Sequence, residues 1–278
     1  MREISRQVSL LFVPGSRPER LDKALATAAD IVCVDLEDAV APQDKDSARS
    51  AILSRLAELP EGRVALRING LRTRAGIDDL AALAAIASRG EALPAWLLLP
   101  MVESPAEVAI VRGVLGNACP RIIPLVETVA GLKAAAAIGR EEGAVALMLG
   151  AGDLSAQLGC EFAWEPLLAA RGQFVMACAD AGVPAIDVPF TRLNDTDGLA
   201  EETARVRAMG FQLKAAIHPA QVDTINTIFR PSDEEIAAAE QAIAAFKAGG
   251  GQAVSFNGRM LEAPFMKRLE RIAAFKEK

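Results

Sequence analysis

The chain has 278 residues, 51% of them hydrophobic, 24% charged and only 4% aromatic, with no tyrosine. Such a composition can bury a large core and excludes intrinsic disorder, while the scarcity of rings argues against a carbohydrate groove or a base-stacking nucleic-acid surface. A formal net charge of −6, with no Lys/Arg run, argues against nucleic acid or anionic membrane held by bulk positive charge.

The length exceeds that of a usual single domain and suits one α/β barrel, which needs about 250 residues. The four cysteines, Cys33, Cys119, Cys160 and Cys178, form no CxxC pair and no Cys/His cluster. They read as small hydrophobes in a reducing cytosol. MREISRQVSLLFVPG enters a strand without signal-peptide organisation, and no run reaches the ~18 apolar residues of a membrane helix. A soluble, cytoplasmic protein is expected.

In chain order, short apolar runs alternate with helical patterns. VSLLFVPG (8–15) is the first strand, followed by the helix RPERLDKALATAA. IVCVDLED (31–38) is the second, with a helix over 44–59. RVALRING (63–70) precedes a helix over 77–88, and AWLLLPMVE (95–103) precedes SPAEVAIVRGVLG. RIIPLVET (121–128) leads to an alanine-rich helix near 131–140. AVALMLGAGDL (144–154) is sixth, with its glycines in a loop, then a long helix over 165–181. PAIDVPF (184–190) and LKAAIHP (213–219) complete the set, with helices near 197–209 and 219–228. Eight strands apolar enough to be buried on both faces predict a parallel sheet closed into a (β/α)8 TIM barrel over residues 1–229.

Residues 230–278 differ in character. PSDEEIAAAEQAIAAFKAGGG opens with Ser232 and Glu235 at capping-box spacing and stops at a glycine run. AVSFNGRML predicts a hairpin turning at Asn-Gly, and PFMKRLERIAAFKEK a charged closing helix. About 50 residues cannot build a substantial core alone. This helical and hairpin extension is expected to dock on its own barrel or a neighbour's.

Active sites of such barrels lie at the strand C-termini, and polar residues gather there: Asp35, Glu37 and Asp38, then Arg67 and Asn69, Glu103, Glu127, Asp153, Asp187 and His218. Converging carboxylates must be protonated, paired or metal-bound. A hard cation such as Mg²⁺ suits an oxygen set with one or two carboxylates, whereas zinc would ask for His and Cys. Glu37, Asp38, Glu127 and Asp153 are the carboxylates that converge on such a cation, and Glu127 could instead cap the helix starting near Thr128. Arg67 offers a fork for a substrate carboxylate, or a bridge to Glu37. The LGAGDLSAQLG glycines let the backbone at Ala151 and Gly152 approach a bound carboxylate. Asp35 and His218 are read as structural; Lys45 and Arg49 fit either a solvated helix face or the site.

LFVPGSRPER, VDLEDAVAPQDKDSAR, RING, LVETVAGL, LGAGDLSAQLG, IHPAQV and NGRMLEAP together resemble the citrate lyase β-subunit (CitE-like) family, in the group of malyl-CoA lyases and HpcH/HpaI aldolases. The resemblance covers nearly the whole chain. It implies a TIM barrel and Mg²⁺ held by Glu127 and Asp153, with Arg67 on the substrate carboxylate and Glu37 and Asp38 ordering metal-bound water. It also implies a trimer or hexamer whose C-terminal segment helps cover a neighbour's site. Related lyases carry an aspartate in G-x-M-I-D-x-P that acts on the acetyl-CoA methyl group. Here Gly258-Arg259-Met260-Leu261-Glu262-Ala263-Pro264 places a glutamate there, one methylene longer.

The expected activity is therefore Mg²⁺-dependent carbon–carbon cleavage or formation of a 3-hydroxyacyl thioester such as citryl-, malyl- or citramalyl-CoA, through a 2-oxo acid and an enolate. Glu262 would move the thioester proton, and Arg17 or Arg20 would meet CoA phosphates. Alternatives are a CoA-independent 2-oxo acid aldolase, hydrolysis of the thioester, or a catalytically weak accessory paralogue.

Overall fold

In the computed structural model, which describes residues 3–276, eight strands buried almost throughout close a sheet on itself. β1 (Ser9–Pro14), β2 (Ile31–Asp35), β3 (Val64–Arg67), β4 (Trp96–Leu99), β5 (Arg121–Val126), β6 (Leu147–Leu149), β7 (Ala185–Asp187) and β8 (Leu213–Ala216) pair in parallel in sequence order, and β8 returns to β1. Alternate residues serve two cores. Leu10, Cys33, Ala65, Leu98, Leu125 and Met148 fill the barrel interior. Their neighbours Leu11, Val34, Leu66, Leu97, Val126 and Leu149 pack outward beneath the helices. Ile4, on a 3₁₀ turn ahead of β1, is fully buried with the interior cluster. A barrel of this size holds a packed core and not a pore.

The outer ring comprises α1 (Pro18–Leu25), α2 (Lys45–Leu53), α3 (Arg74–Ser88), α4 (Pro105–Leu115), α5 (Val129–Arg140), α6 (Ala151–Leu158), α7 (Trp164–Ala181), α8 (Thr196–Met209) and α9 (Val222–Phe229). Side-chain caps fix several starts: Thr73, Thr128 and Asp195 accept from backbone amides, and Ser104 forms a capping box with Glu107. Two expectations shift. The helix predicted to run to residue 59 stops at Leu53 and gives way to a 3₁₀ turn over Leu56–Glu58, which ends at Leu59, held extended before Pro60 (φ −82, ψ 146). The glycine-rich segment expected as a loop is helix α6, beginning one residue after Gly150.

Asp187 was expected at the barrel mouth and is not there. Ile186 belongs to the interior, so Asp187 points outward. It is fully buried, with Lys214 Nζ at 2.6 Å and Arg171 Nε at 3.2 Å, while Lys214 also reaches Glu202 Oε1 at 2.9 Å. This cluster joins β7 and β8 to α7 and α8. Asn69 is likewise structural, bonding Asp79 and the Leu36 carbonyl.

The C-terminal extension is α10 (Asp233–Ala248), the hairpin β9 (Val254–Phe256) and β10 (Arg259–Leu261), and α11 (Ala263–Ala273). Ser232 and Glu235 form the expected capping box. Asn257 and Gly258 both have positive φ, 48° and 72°, as a two-residue turn between twisted strands requires. α11 packs along α10, and its far end borders a cavity that Val8 and Gln212 also line at the barrel's N-terminal face. Among the described residues, no helix is long and apolar enough to cross a membrane.

Candidate active site

The inward positions at the strand C-termini converge on one cavity of about 400 Å³, lined by Phe12, Asp35, Arg67, Glu127, Gly152 and Asp153 among others. Register explains the convergence: Pro14 pairs with Asp35, and Asp35 with Arg67.

Asp35 organises the first half of the site. It takes Arg67 Nε and Nη2 at 2.7 and 2.6 Å, and it accepts the amides of Glu37 and Ala39 at 2.8 and 3.1 Å. Lys45 Nζ steadies the same loop through the Leu36 and Glu37 carbonyls. Arg49 instead pairs with Asp79 and Asp46. The Arg67 guanidinium lies 4.9 Å from the Phe12 ring centroid. Burial works against its charge, and the Asp35 hydrogen bonds and charge outweigh it. The two-pronged edge expected to grip substrate is thus occupied by Asp35. What faces the mouth is Nη1, 3.0 Å from Glu37 Oε2 and 3.3 Å from Asp38 Oδ2. The contact to Glu37 is ionic without hydrogen-bond alignment, so Oε2 is a buried oxygen lacking a hydrogen-bond partner among the described residues.

Glu127 anchors the second half. Its Oε2 accepts the Met101 amide at 2.6 Å. Met101 follows β4 with φ 57°, a left-handed conformation rare for a residue with a side chain. Arg72 holds it there, donating to the Met101 carbonyl and to Glu103 Oε2, both at 2.7 Å. Thr128 Oγ1 closes the chain on Glu103 Oε1 at 2.7 Å. Sequence reasoning found Glu127 but not Met101 or Arg72, since nothing in LLLPMVE announces a positive φ. Beneath Glu127 sits Gly150, where any Cβ would overlap the carboxylate side chain. Asp153 lies in the first turn of α6, exposed, not in a loop as expected. Ala151 is fully buried and contributes only backbone; first-turn amides have no intrahelical partner.

The electrostatics are those of a site short of positive charge. Burial raises the Glu127 carboxyl to about 7; the Met101 amide and Arg67 pull it down, and Asp153 and Asp38 push it up. Burial raises Glu37 to about 8 against the pull of Arg67, with Glu127, Asp38 and Asp35 adding to the rise. No group of three His, Cys, Asp or Glu forms a cage among the described residues. An all-oxygen set with two carboxylates and open positions matches Mg²⁺, which keeps waters that substrate can displace. Glu37 Oε2, ion-paired to Arg67 but without a hydrogen bond, and Glu127 Oε1, which accepts no hydrogen bond among the described residues, are consistent with a cation at this place.

The remaining expected residues fall elsewhere. Glu262 is exposed at the start of α11 and does not line this cavity in its own chain. His218 Nδ1 accepts the Ala220 amide, capping the turn after β8. A second cavity, sharing Phe12, Val13, Pro14 and Ile217 with the first, is lined by Arg20, Lys23 and His218. Arg17 is exposed at the start of α1.

A family model described as HpcH/HpaI aldolase/citrate lyase matches residues 8–219, the barrel that carries all of these groups except Glu262. This chain belongs to the HpcH/HpaI aldolase/citrate lyase family. Membership makes it an enzyme of a lyase family. It is 36% identical over 268 residues to a citrate lyase subunit beta-like protein of Mycobacterium tuberculosis, covering 94% of this chain and 92% of that one. It is 34% identical over 264 residues to a (3S)-malyl-CoA thioesterase of Cereibacter sphaeroides, covering 91% and 89%. The crystal structure of CitE from M. tuberculosis in complex with magnesium, acetoacetate and coenzyme A superposes with a TM-score of 0.79 at 34% identity, over 99% of this chain and 98% of that one.

Proposed function

We propose that this family member is a cytoplasmic Mg²⁺-dependent carbon–carbon lyase that cleaves or forms a 3-hydroxyacyl-CoA thioester of the citryl, malyl or citramalyl type. The observation that carries the reading is the abutment of two cavities, one acidic at Glu127 and Asp153, the other basic at Arg20 and Lys23. The first suits a metal and an oxo acid; the second suits the phosphates of CoA. The relative's complex holding magnesium, acetoacetate and coenzyme A together supports the same pairing.

Glu127 and Asp153 would hold the metal, which when bound polarises the oxygen of the acid and stabilises negative charge there. Arg67 Nη1 and the first-turn amides at Ala151 and Gly152 would orient the acid's carboxylate. Glu37, with its carboxyl near neutrality, and Asp38 would hold the water and protons around the reacting hydroxyl. In cleavage, the hydroxyl proton would pass through bound water to the Asp38 carboxylate as the carbon–carbon bond breaks. Its electron pair passes to the thioester α-carbon as an enolate, which takes up a proton from Glu262. Because Glu262 stands away from its own mouth, it would serve a neighbour's. Residues 1–229 would then be the catalytic barrel and 230–278 an extension shared within a trimer or hexamer.

The similarity to a malyl-CoA thioesterase favours one alternative, hydrolysis of the thioester at the same site. Incubation with Mg²⁺ and malyl-, methylmalyl-, citramalyl- and citryl-CoA, read by mass spectrometry, separates the two. A lyase releases an acyl-CoA and a 2-oxo acid; a thioesterase releases CoA and the hydroxy acid. Glu127→Ala and Asp153→Ala should abolish turnover. Full turnover in both variants would overturn the reading.

A further inference from the structure

The end of the barrel opposite the acidic mouth carries a concentration of uncompensated positive charge. Arg207 near the end of α8, and Arg268 and Arg271 on α11, line a small cavity with Phe211, Phe229 and Phe275. Val8 and Gln212, which immediately precede β1 and β8, also border it and place it at the N-terminal face. Its volume is about 70 Å³, several times the roughly 10–15 Å³ that a cavity measured this way needs to hold one water.

Arg207 has a distant carboxylate, Glu235 Oε1 at 3.4 Å. Arg268 and Arg271 have no ion pair or side-chain hydrogen bond among the described residues. Arg271 is part-buried, and its burial, then Arg268, then Arg207 all disfavour its charge. Arg207 and Arg271 are part-buried and Arg268 is exposed at the cavity rim; a partly desolvated cation ordinarily has a partner that offsets the cost. Here three guanidinium groups share one long contact, and an anion is what the arrangement lacks.

We propose that this cavity binds a phosphate group, bridging α8 of the barrel to α11 of the extension. Two unpaired guanidinium groups match a doubly charged tetrahedral oxyanion, and their forked donors suit phosphate geometry. The source is free phosphate or the end of a small ester, whose apolar part would lie on the phenylalanine rings. The inference stands independently of the lyase reading, because none of these residues borders the mouth.

The test is thermal melting of the full chain in inorganic phosphate, phenyl phosphate or chloride at matched ionic strength. Phosphate should raise Tm with saturation, since a ligand of the native state stabilises it by mass action. Arg268→Gln and Arg271→Gln should each weaken phosphate binding about tenfold. Without phosphate, Arg271→Gln should melt no lower than the unaltered protein, because it removes a repelled cation. Tighter binding of phenyl phosphate would assign an ester; equal binding, phosphate alone. The proposal fails if phosphate acts no better than chloride, if both variants keep the full response, or if Arg271→Gln lowers Tm equally with and without phosphate.

Discussion

Glu127 accepts a backbone amide from Met101, which holds a left-handed conformation. Such a conformation costs about 1–3 kcal/mol and persists where neighbours over-determine it. Arg72 and Glu127 hold Met101 from either side, through its carbonyl and its amide. Arg72→Ala should therefore weaken Mg²⁺ binding about 10–100-fold, as loss of an outer support for a metal ligand commonly does, measured by titration calorimetry. Gly150→Ala should also lose Mg²⁺ binding, since the added methyl displaces the Glu127 carboxylate. The raised pKa values set a pH dependence. Folded-state values of about 7 for Glu127 and about 8 for Glu37 exceed the ordinary 4.5. The native state thus holds more protons than the unfolded chain, and stability falls as pH rises between those limits. In EDTA, Tm should drop from about pH 5 to pH 8, and the rise produced by Mg²⁺ should be larger at pH 8 than at pH 6. A flat EDTA profile would contradict the electrostatic account.

Among elements, the β7–β8 charge cluster is the strongest structural commitment outside the mouth. Removing one partner of a buried pair leaves the other charge unpaired, at a cost of about 3–5 kcal/mol. Lys214→Met should lower Tm severely in a thermal melt, and Asp187→Asn added to it should cost less than the two separately. The same cluster shows where sequence was legible. Strands buried on both faces and separated by helical patterns identify a closed parallel barrel, and acidic strand ends mark its mouth. Which strand-end residues point inward is a matter of parity. With Ile186 inside, Asp187 must face out, whereas Asp35, Arg67 and Glu127 follow inward Cys33, Ala65 and Leu125. That signal was present in the alternation. Others were not: GAGD looks like loop because two glycines lower helix propensity, yet α6 begins there. The capture of Arg67 by Asp35, rather than Glu37 alone, needed the register of β2 and β3.

For the whole molecule, Glu262 lies away from its own mouth, so the role proposed for it requires a neighbouring subunit. If it serves a neighbour, Glu127→Ala and Glu262→Gln subunits, inactive alone, should regain activity when refolded together. A cyclic assembly of an equal mixture restores roughly a quarter of the sites, measured by turnover against the unmixed variants. No recovery would confine catalysis to a single chain. The only histidine in the sequence, His218, stands beside the basic cavity. One imidazole means one pair of ring-proton resonances, with no assignment problem. A CoA-like ligand settling at Arg20 and Lys23 would move those lines, while phosphate held on the far face would leave them still. Chance has given this enzyme a built-in spectroscopic label that tells its two ends apart.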